Sequence, residues 1–285
     1  MVQTNRYSEP LVGKESVIPS YDGAQIKAVQ TGEGIPVVLA HGYAVDRHEW
    51  NVIAKALVKR NFKVIAFDQR GHGESTIGKE GVGSRQMSED YLAVLRAFEV
   101  KNGILVAHSM GGFLAIKTLI ESRETISDHL KGCLLMATFA GDVNRDNPQN
   151  RLQIPLIQSG IMSLLIRSRA IAKGFAKTLM GAEKDPEMLE AFVNGFGKSG
   201  LKALLPILNA MVAENYYSRL GEINLPCTIV VGTQDKTTPP FHTHQLHSGI
   251  NGSKLVQVPG KGHLLNWEAP ETLIEEIVHL AEMQG

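Results

Sequence analysis

Ala107-His108-Ser109-Met110-Gly111-Gly112 follows the apolar run Ile104-Leu105-Val106 and leads into Phe113-Leu114-Ala115-Ile116. A serine between a short buried strand and a helix, with small residues two before and two and three after it, is the pattern of a nucleophile elbow. The pattern predicts a strained backbone at Ser109, since larger flanking side chains would collide with the adjoining strand or helix. It also points the free N–H groups of a helix N-terminus at any negative charge that develops beside the serine.

On either side of this turn, short β-branched runs alternate with helix-period runs, which predicts a mostly parallel sheet covered by helices. Eight strands are expected, at 15–19, 24–30, 36–40, 63–67, 104–107, 132–136, 227–231 and 254–258. Trp50, Ile53, Ala54, Leu57 and Val58 form the apolar stripe of a helix after the third strand. Leu273, Ile274, Ile277, Val278 and Ala281 form another, with Pro270 placed for its first turn. Between about Phe139 and Leu225 the alternation stops. The polar, turn-rich 141–148 opens that stretch, at least three helical patterns follow, and Leu225-Pro226 closes it. An all-helical insertion between two parallel strands is expected to cap the strand ends, where such sheets bind ligands. The expected division is a core of 1–138 and 226–285 with a helical cap at 139–225.

The chain has 285 residues, 43% of them hydrophobic and 20% charged, enough for one large domain with an insertion and a sizeable core. Lys+Arg and Asp+Glu are both 29, and the absence of a basic excess argues against a nucleic-acid partner. No apolar run approaches the roughly 20 residues of a membrane span, so no stable membrane insertion is expected. The opening MVQTNRYSEP lacks the apolar segment of a secretory signal. Cys133 and Cys227 each lie in an apolar, strand-like run and are expected to be buried thiols rather than a disulfide. A reducing, cytoplasmic setting is the corresponding expectation.

A serine hydroxyl needs a base within hydrogen-bond reach and a carboxylate to orient that base. Val230-Val231-Gly232-Thr233-Gln234-Asp235 runs from a strand to an acid, and Val256 to His263 from a strand through a glycine-rich loop to a histidine. The order Ser109, Asp235, His263 is the one expected of the hydrolase elbow. Duller readings stand beside it: Ser109 as a helix N-cap, Asp235 as a cap of the following helix with Asp142 as the acid, His263 as a loop histidine.

These blocks, with His41-Gly42, FDQRGHGES at 67–75 and GKGHLLNWEAP at 260–270, resemble the α/β-hydrolase superfamily, serine-nucleophile branch, over nearly the whole chain. Ala107 departs from the first glycine of the G-x-S-x-G motif, but it is still small. The resemblance implies an α/β-hydrolase fold with the helical cap inserted after strand 6. It also implies an oxyanion hole made by the backbone N–H groups of Tyr43 and Met110, with His41 and His72 bracing loops. Tyr43, His108 and Leu264 are the expected substrate-binding side chains; Tyr43 contacts substrate or walls the site, and His108 also reads as structural.

Serine, histidine and aspartate together imply acyl transfer to water, without cofactor or metal. The apolar cap residues, among them Ile157, Ile161, Leu164, Phe175, Phe192, Phe196, Leu208 and Met211, suggest an uncharged, hydrophobic small-molecule ester as substrate. Carbon–carbon hydrolysis of the meta-cleavage type is the alternative, disfavoured because Leu264 rather than Trp follows His263. Lactonase, thioesterase and perhydrolase or lyase chemistry stay open, as does a ligand receptor on the same scaffold; oligomeric state is not read. His242, His244 and His247 are expected at a solvated helix start rather than around zinc. The basic stripe Arg169, Lys173, Lys177 marks either a membrane-surface helix or a cap helix with its apolar side over the pocket.

Overall fold

The computed structural model describes residues 5–198 and 200–283. Its eight strands are β1 (Lys14–Pro19), β2 (Gln25–Thr31), β3 (Ile35–Ala40), β4 (Phe62–Phe67), β5 (Gly103–His108), β6 (Leu130–Met136), β7 (Cys227–Gly232) and β8 (Lys254–Val258). They form one sheet in the order β1-β2-β4-β3-β5-β6-β7-β8. Only β1/β2 and β2/β4 pair antiparallel; every later pair is parallel. Parallel strands are covered on both faces, which explains why β5 and β7 are buried at every residue and read as continuous apolar runs.

Alternate residues serve opposite faces. Val38, Ala40, Ile65, Phe67, Leu105 and Ala107 join a core with helices Ser84–Ala97 and Met110–Glu121. Val37, Leu39, Val64, Ala66, Ile104 and Val106 join a second core with helices Asn51–Val58 and Pro270–Glu282. The stripes Trp50-Ile53-Ala54-Leu57 and Leu273-Ile274-Ile277 are the buried faces of that second pair, with Pro270 in the first turn. Each large apolar side chain so buried contributes about 1.5–3 kcal/mol.

From β3 the chain steps outward to β4 and then back across β3 to β5. The strand order reverses there, opening a crevice beyond the carboxyl ends of β3 and β5. The loops bearing Gly42 and Ser109 both leave from that point.

The loop after β4 is locked by charge. Arg70 is fully buried and hydrogen-bonds Asp90 through Nε at 2.7 Å and Asp22 through Nη1 at 2.7 Å, each carboxylate accepting a second bond from Nη2. Removing the guanidinium would leave two buried carboxylates unpaired, and breaking such a pair costs about 3–5 kcal/mol. Arg70→Met should therefore lower the denaturation midpoint in urea sharply without altering the slope.

Between β6 and β7 lie helices Pro148–Gln158, Ile161–Leu165, Arg169–Leu179, Pro186–Gly195 and Leu205–Ala213, then the 3-10 turn Tyr217–Glu222. The one extended pairing among the described residues of this stretch is an isolated bridge between Gly141 and Asn215. Gly141 adopts φ +116°, and any side chain there would run into the Glu214 carbonyl. Cys133 and Cys227 are neighbours in register on β6 and β7, both buried and free, with sulfurs 2.9 Å apart.

Candidate active site

The elbow is built as its sequence demands. Ser109 directly follows β5 with φ 52° and ψ −116°, a conformation that costs a side-chain-bearing residue on the order of 1–3 kcal/mol. Its backbone is held from three sides: its N–H donates to Met136 O at 3.0 Å, and its carbonyl accepts from Phe113 N at 3.1 Å and Thr138 Oγ1 at 2.6 Å. A methyl group on Gly111 would lie 2.7 Å from the Ala40 and His41 carbonyls, and one on Gly112 would overlap Thr138. That crowding is why two glycines follow Met110.

Asp235 and His263 arrive on the loops after β7 and β8. His263 Nδ1 donates to Asp235 Oδ2 at 2.8 Å, which leaves Nε2 to accept from the Ser109 hydroxyl at 3.1 Å. Asp235 is saturated: Oδ1 takes the N–H groups of Thr237 and Thr238 at 2.8 and 2.9 Å, and Oδ2 also takes the Thr238 hydroxyl at 2.7 Å. Burial pushes its carboxyl up, but the charge and hydrogen bond of His263 and the Thr238 donors outweigh it and leave Asp235 below its ordinary value. Asp142 instead sits at the neck of the helical segment, its N–H on Glu214 O. The His263 N–H donates to Leu179 O at 2.7 Å, tying the histidine loop to the end of helix Arg169–Leu179.

Gly42 packs beside the serine, its Cβ position 3.6 Å from Ser109 Cβ. The backbone N–H groups of Tyr43 and Met110 have no acceptor among the described residues. An oxyanion hole requires unspent donors of this kind, and Tyr43 and Met110 directly follow Gly42 and Ser109 in the chain. The Tyr43 side chain lines the cavity, its hydroxyl buried without a partner among the described residues and its pKa raised by that burial. Leu264 lines the cavity too. His108 borders it as well, but both its ring nitrogens turn to protein: Nδ1 to the Glu49 carboxylate and Nε2 to the His263 carbonyl. His41 braces the next loop by accepting from Gln69 N at 2.9 Å, and the His72 ring lies against His41.

Above Ser109 is a cavity of about 110 Å³. Its walls are mostly apolar, with Val143, Ile157, Phe175, Phe192, Phe196 and Met211 prominent, and no Lys or Arg among the lining residues. Glu49, His108, Asn150, Gln153, Thr237 and Thr238, with Ser109 and His263, supply the polar part. Ile161 and Leu164, expected in this roof, lie on the outside instead, Leu164 61% exposed. Periodicity identifies an apolar helix face but not the neighbour that covers it. In helix Arg169–Leu179, Phe175 and Leu179 face the cavity, while Arg169 and Lys173 pair with Glu190.

The histidine cluster needs a correction. His242 is not solvated: it is fully buried among Phe241, Tyr217 and Phe139, with Nδ1 on the Tyr217 hydroxyl, while His244 and His247 are exposed. No metal-holding group of His, Cys, Asp or Glu occurs among the described residues. Burial lowers His242 to about 4, so between about 4 and 6.5 the folded state binds fewer protons than the unfolded chain. Its contribution to stability is present above about 6.5 and is lost as pH falls toward 4. The melting temperature should drop over that interval, and drop less in His242→Phe.

Two contributors escaped the sequence reading. Thr238 follows Asp235 by three residues, a spacing at which Asp commonly caps a turn. Glu49 carries no local signal, since its partner His108 lies 59 positions away.

Residues 35–270 match the sequence model of the family described as alpha/beta hydrolase fold. The chain belongs to the α/β-hydrolase fold family. Among this family's members it is 26% identical over 242 residues to the AB hydrolase superfamily protein YisY of Bacillus subtilis (strain 168), covering 85% of this chain and 90% of that protein. It is 23% identical over 254 residues to the karrikin insensitive 2 receptor CA of Petunia hybrida, covering 87% and 92%. An esterase from Exiguobacterium antarcticum superposes with a TM-score of 0.85 at 22% identity, over 95% of this chain and all of that one. At that identity the superposition speaks for the shared α/β-hydrolase architecture. No helix among the described residues is long and apolar enough to cross a membrane.

Proposed function

We propose that the protein is a serine hydrolase that cleaves a carboxylic ester of an uncharged, hydrophobic small molecule through an acyl-enzyme. The observation that carries this reading is the Ser109–His263–Asp235 hydrogen-bond chain opening onto an apolar cavity. In this scheme His263 Nε2 takes the Ser109 proton as Oγ attacks the ester carbon. The resulting oxyanion is held by the N–H groups of Tyr43 and Met110. His263 then gives its proton to the departing alcohol oxygen, leaving an ester on Ser109. Water, deprotonated by the same imidazole, attacks that ester and releases the acid. The segment 139–225 acts as the cap, supplying the roof of the acyl or alcohol site.

The cavity's size favours short chains over long ones. In a series of p-nitrophenyl esters, kcat/KM should peak at a short acyl group and fall at least about tenfold by a long fatty chain, since each unaccommodated methylene is worth about 1–3 kcal/mol. A rising trend to long chains, or turnover of charged esters alone, would contradict the substrate class. The similarity to a named receptor supports a second reading, a ligand receptor with unused chemistry. A fluorophosphonate probe separates the two: a working hydrolase labels on Ser109, and a receptor with inert serine does not.

A further inference from the structure

Glu49 lies in the short 3-10 turn Arg47–Trp50, its side chain only 4% exposed. Its carboxylate bonds two parts of the site at once. Oε1 accepts from the Gly42 N–H at 3.1 Å, and both oxygens lie 3.2 Å from His108 Nδ1. Its backbone carbonyl accepts from Asn266 Nδ2 at 2.7 Å and Trp267 Nε1 at 2.9 Å, on the short helix just after His263. The other ring nitrogen of His108, Nε2, sits 3.1 Å from the His263 carbonyl, and the two imidazoles pack with centroids 4.8 Å apart.

The chemistry of these contacts is restrictive. A main-chain carbonyl only accepts, so His108 Nε2 carries hydrogen. The Glu49 carboxylate, ionised and already accepting from the Gly42 N–H, also only accepts, so His108 Nδ1 carries a second hydrogen. Without it, two buried acceptors would face each other, which costs both their partners. One end of the chain fixes the His41–Gly42 peptide, and the next peptide along carries the unspent Tyr43 N–H. The other end fixes the carbonyl of the residue that carries the base.

We propose that Glu49 and His108 are a proton-sharing positioning pair that sets the oxyanion loop and the His263 loop in register with each other. Neither touches the reacting atoms. The inference rests on the hydrolase reading above.

The test uses the full chain, with Glu49→Leu and Glu49→Gln, ester turnover, fluorophosphonate labelling and nitrogen-15 histidine spectra. In the native protein His108 should show hydrogen on both ring nitrogens. Glu49→Leu should lower kcat about 10²-fold, as for loss of one oxyanion donor, with KM within about threefold. Glu49→Gln should recover at least about tenfold of that loss, because an amide can accept from Gly42 and donate to Nδ1, and its His108 should lose the Nδ1 proton. A native His108 protonated on one nitrogen alone overturns the proposal, as does a folded Glu49→Leu with native kcat. Should Glu49→Leu fail to fold, the native spectrum and the Glu49→Gln proton loss decide alone. A native protein that never labels overturns the hydrolase reading and the positioning role with it, and does so whatever the His108 spectrum shows.

Discussion

Ser109→Ala is expected to abolish both labelling by a fluorophosphonate and turnover of short-chain esters, with kcat falling about 10⁶-fold if the three groups act as one unit. The size follows from the geometry. The Ser109 hydroxyl is the group within 3.1 Å of His263 Nε2, and alanine leaves the imidazole with nothing to activate but water. The fold should survive. Ser109 is held by its backbone to Met136, Phe113 and Thr138, and none of those bonds uses the hydroxyl. A melting temperature close to native together with lost activity is the expected pair of results. Retained turnover in this variant would remove the hydrolase reading. Residual hydrolysis above the rate in water fits it, because the cavity and the proposed Tyr43 and Met110 donors do not depend on the serine hydroxyl.

Asp235→Asn should cost about 10⁴-fold in kcat while leaving KM nearly unchanged. The carboxylate receives hydrogen from His263 Nδ1 at 2.8 Å, and that single bond determines which ring nitrogen is left to accept from serine. An amide placed with its NH₂ toward Nδ1 would move the ring proton to Nε2 and remove the base from Ser109. The remaining Asp235 contacts predict a stability cost as well. Its folded carboxyl is depressed relative to the unfolded chain, so its stabilisation is present above the unfolded value and is lost as pH falls through the folded one. The difference in stability between native protein and Asp235→Asn should therefore shrink in strong acid. Chemical denaturation at successive pH values would measure it, and a gap that widened on acidification would contradict the arrangement.

The sheet was legible because parallel strands covered on both sides write themselves as short β-branched runs, and all eight appear within about a residue or two of where those runs place them. The pairing order was less so. Nothing local in Ile35–Ala40 or Phe62–Phe67 says that β4 lies outside β3, because that follows from how crossovers pack. Ser109, Asp235 and His263 stood out because each sits where an apolar run meets a tight turn, and the fold brings them within hydrogen-bond distance. Glu49 could not be found that way. An acid before a tryptophan at a helix start is an ordinary surface pattern, and its burial depends on His108 and Gly42 arriving from other strands. His242 misled for the opposite reason: its turn is polar, yet Tyr217 and Phe139 fold over it from the segment before β7.

The bridge between Gly141 and Asn215 brings the two ends of the helical segment side by side. A loop whose endpoints already touch can be lengthened, shortened or exchanged without pulling on the strands it joins, since added loop length costs little entropy. The same segment is fastened to the loops after β7 and β8, through Asn147 Nδ2 on the Lys236 and Thr237 carbonyls and Leu179 O on the His263 N–H, so any substitute would have to supply those fastenings as well.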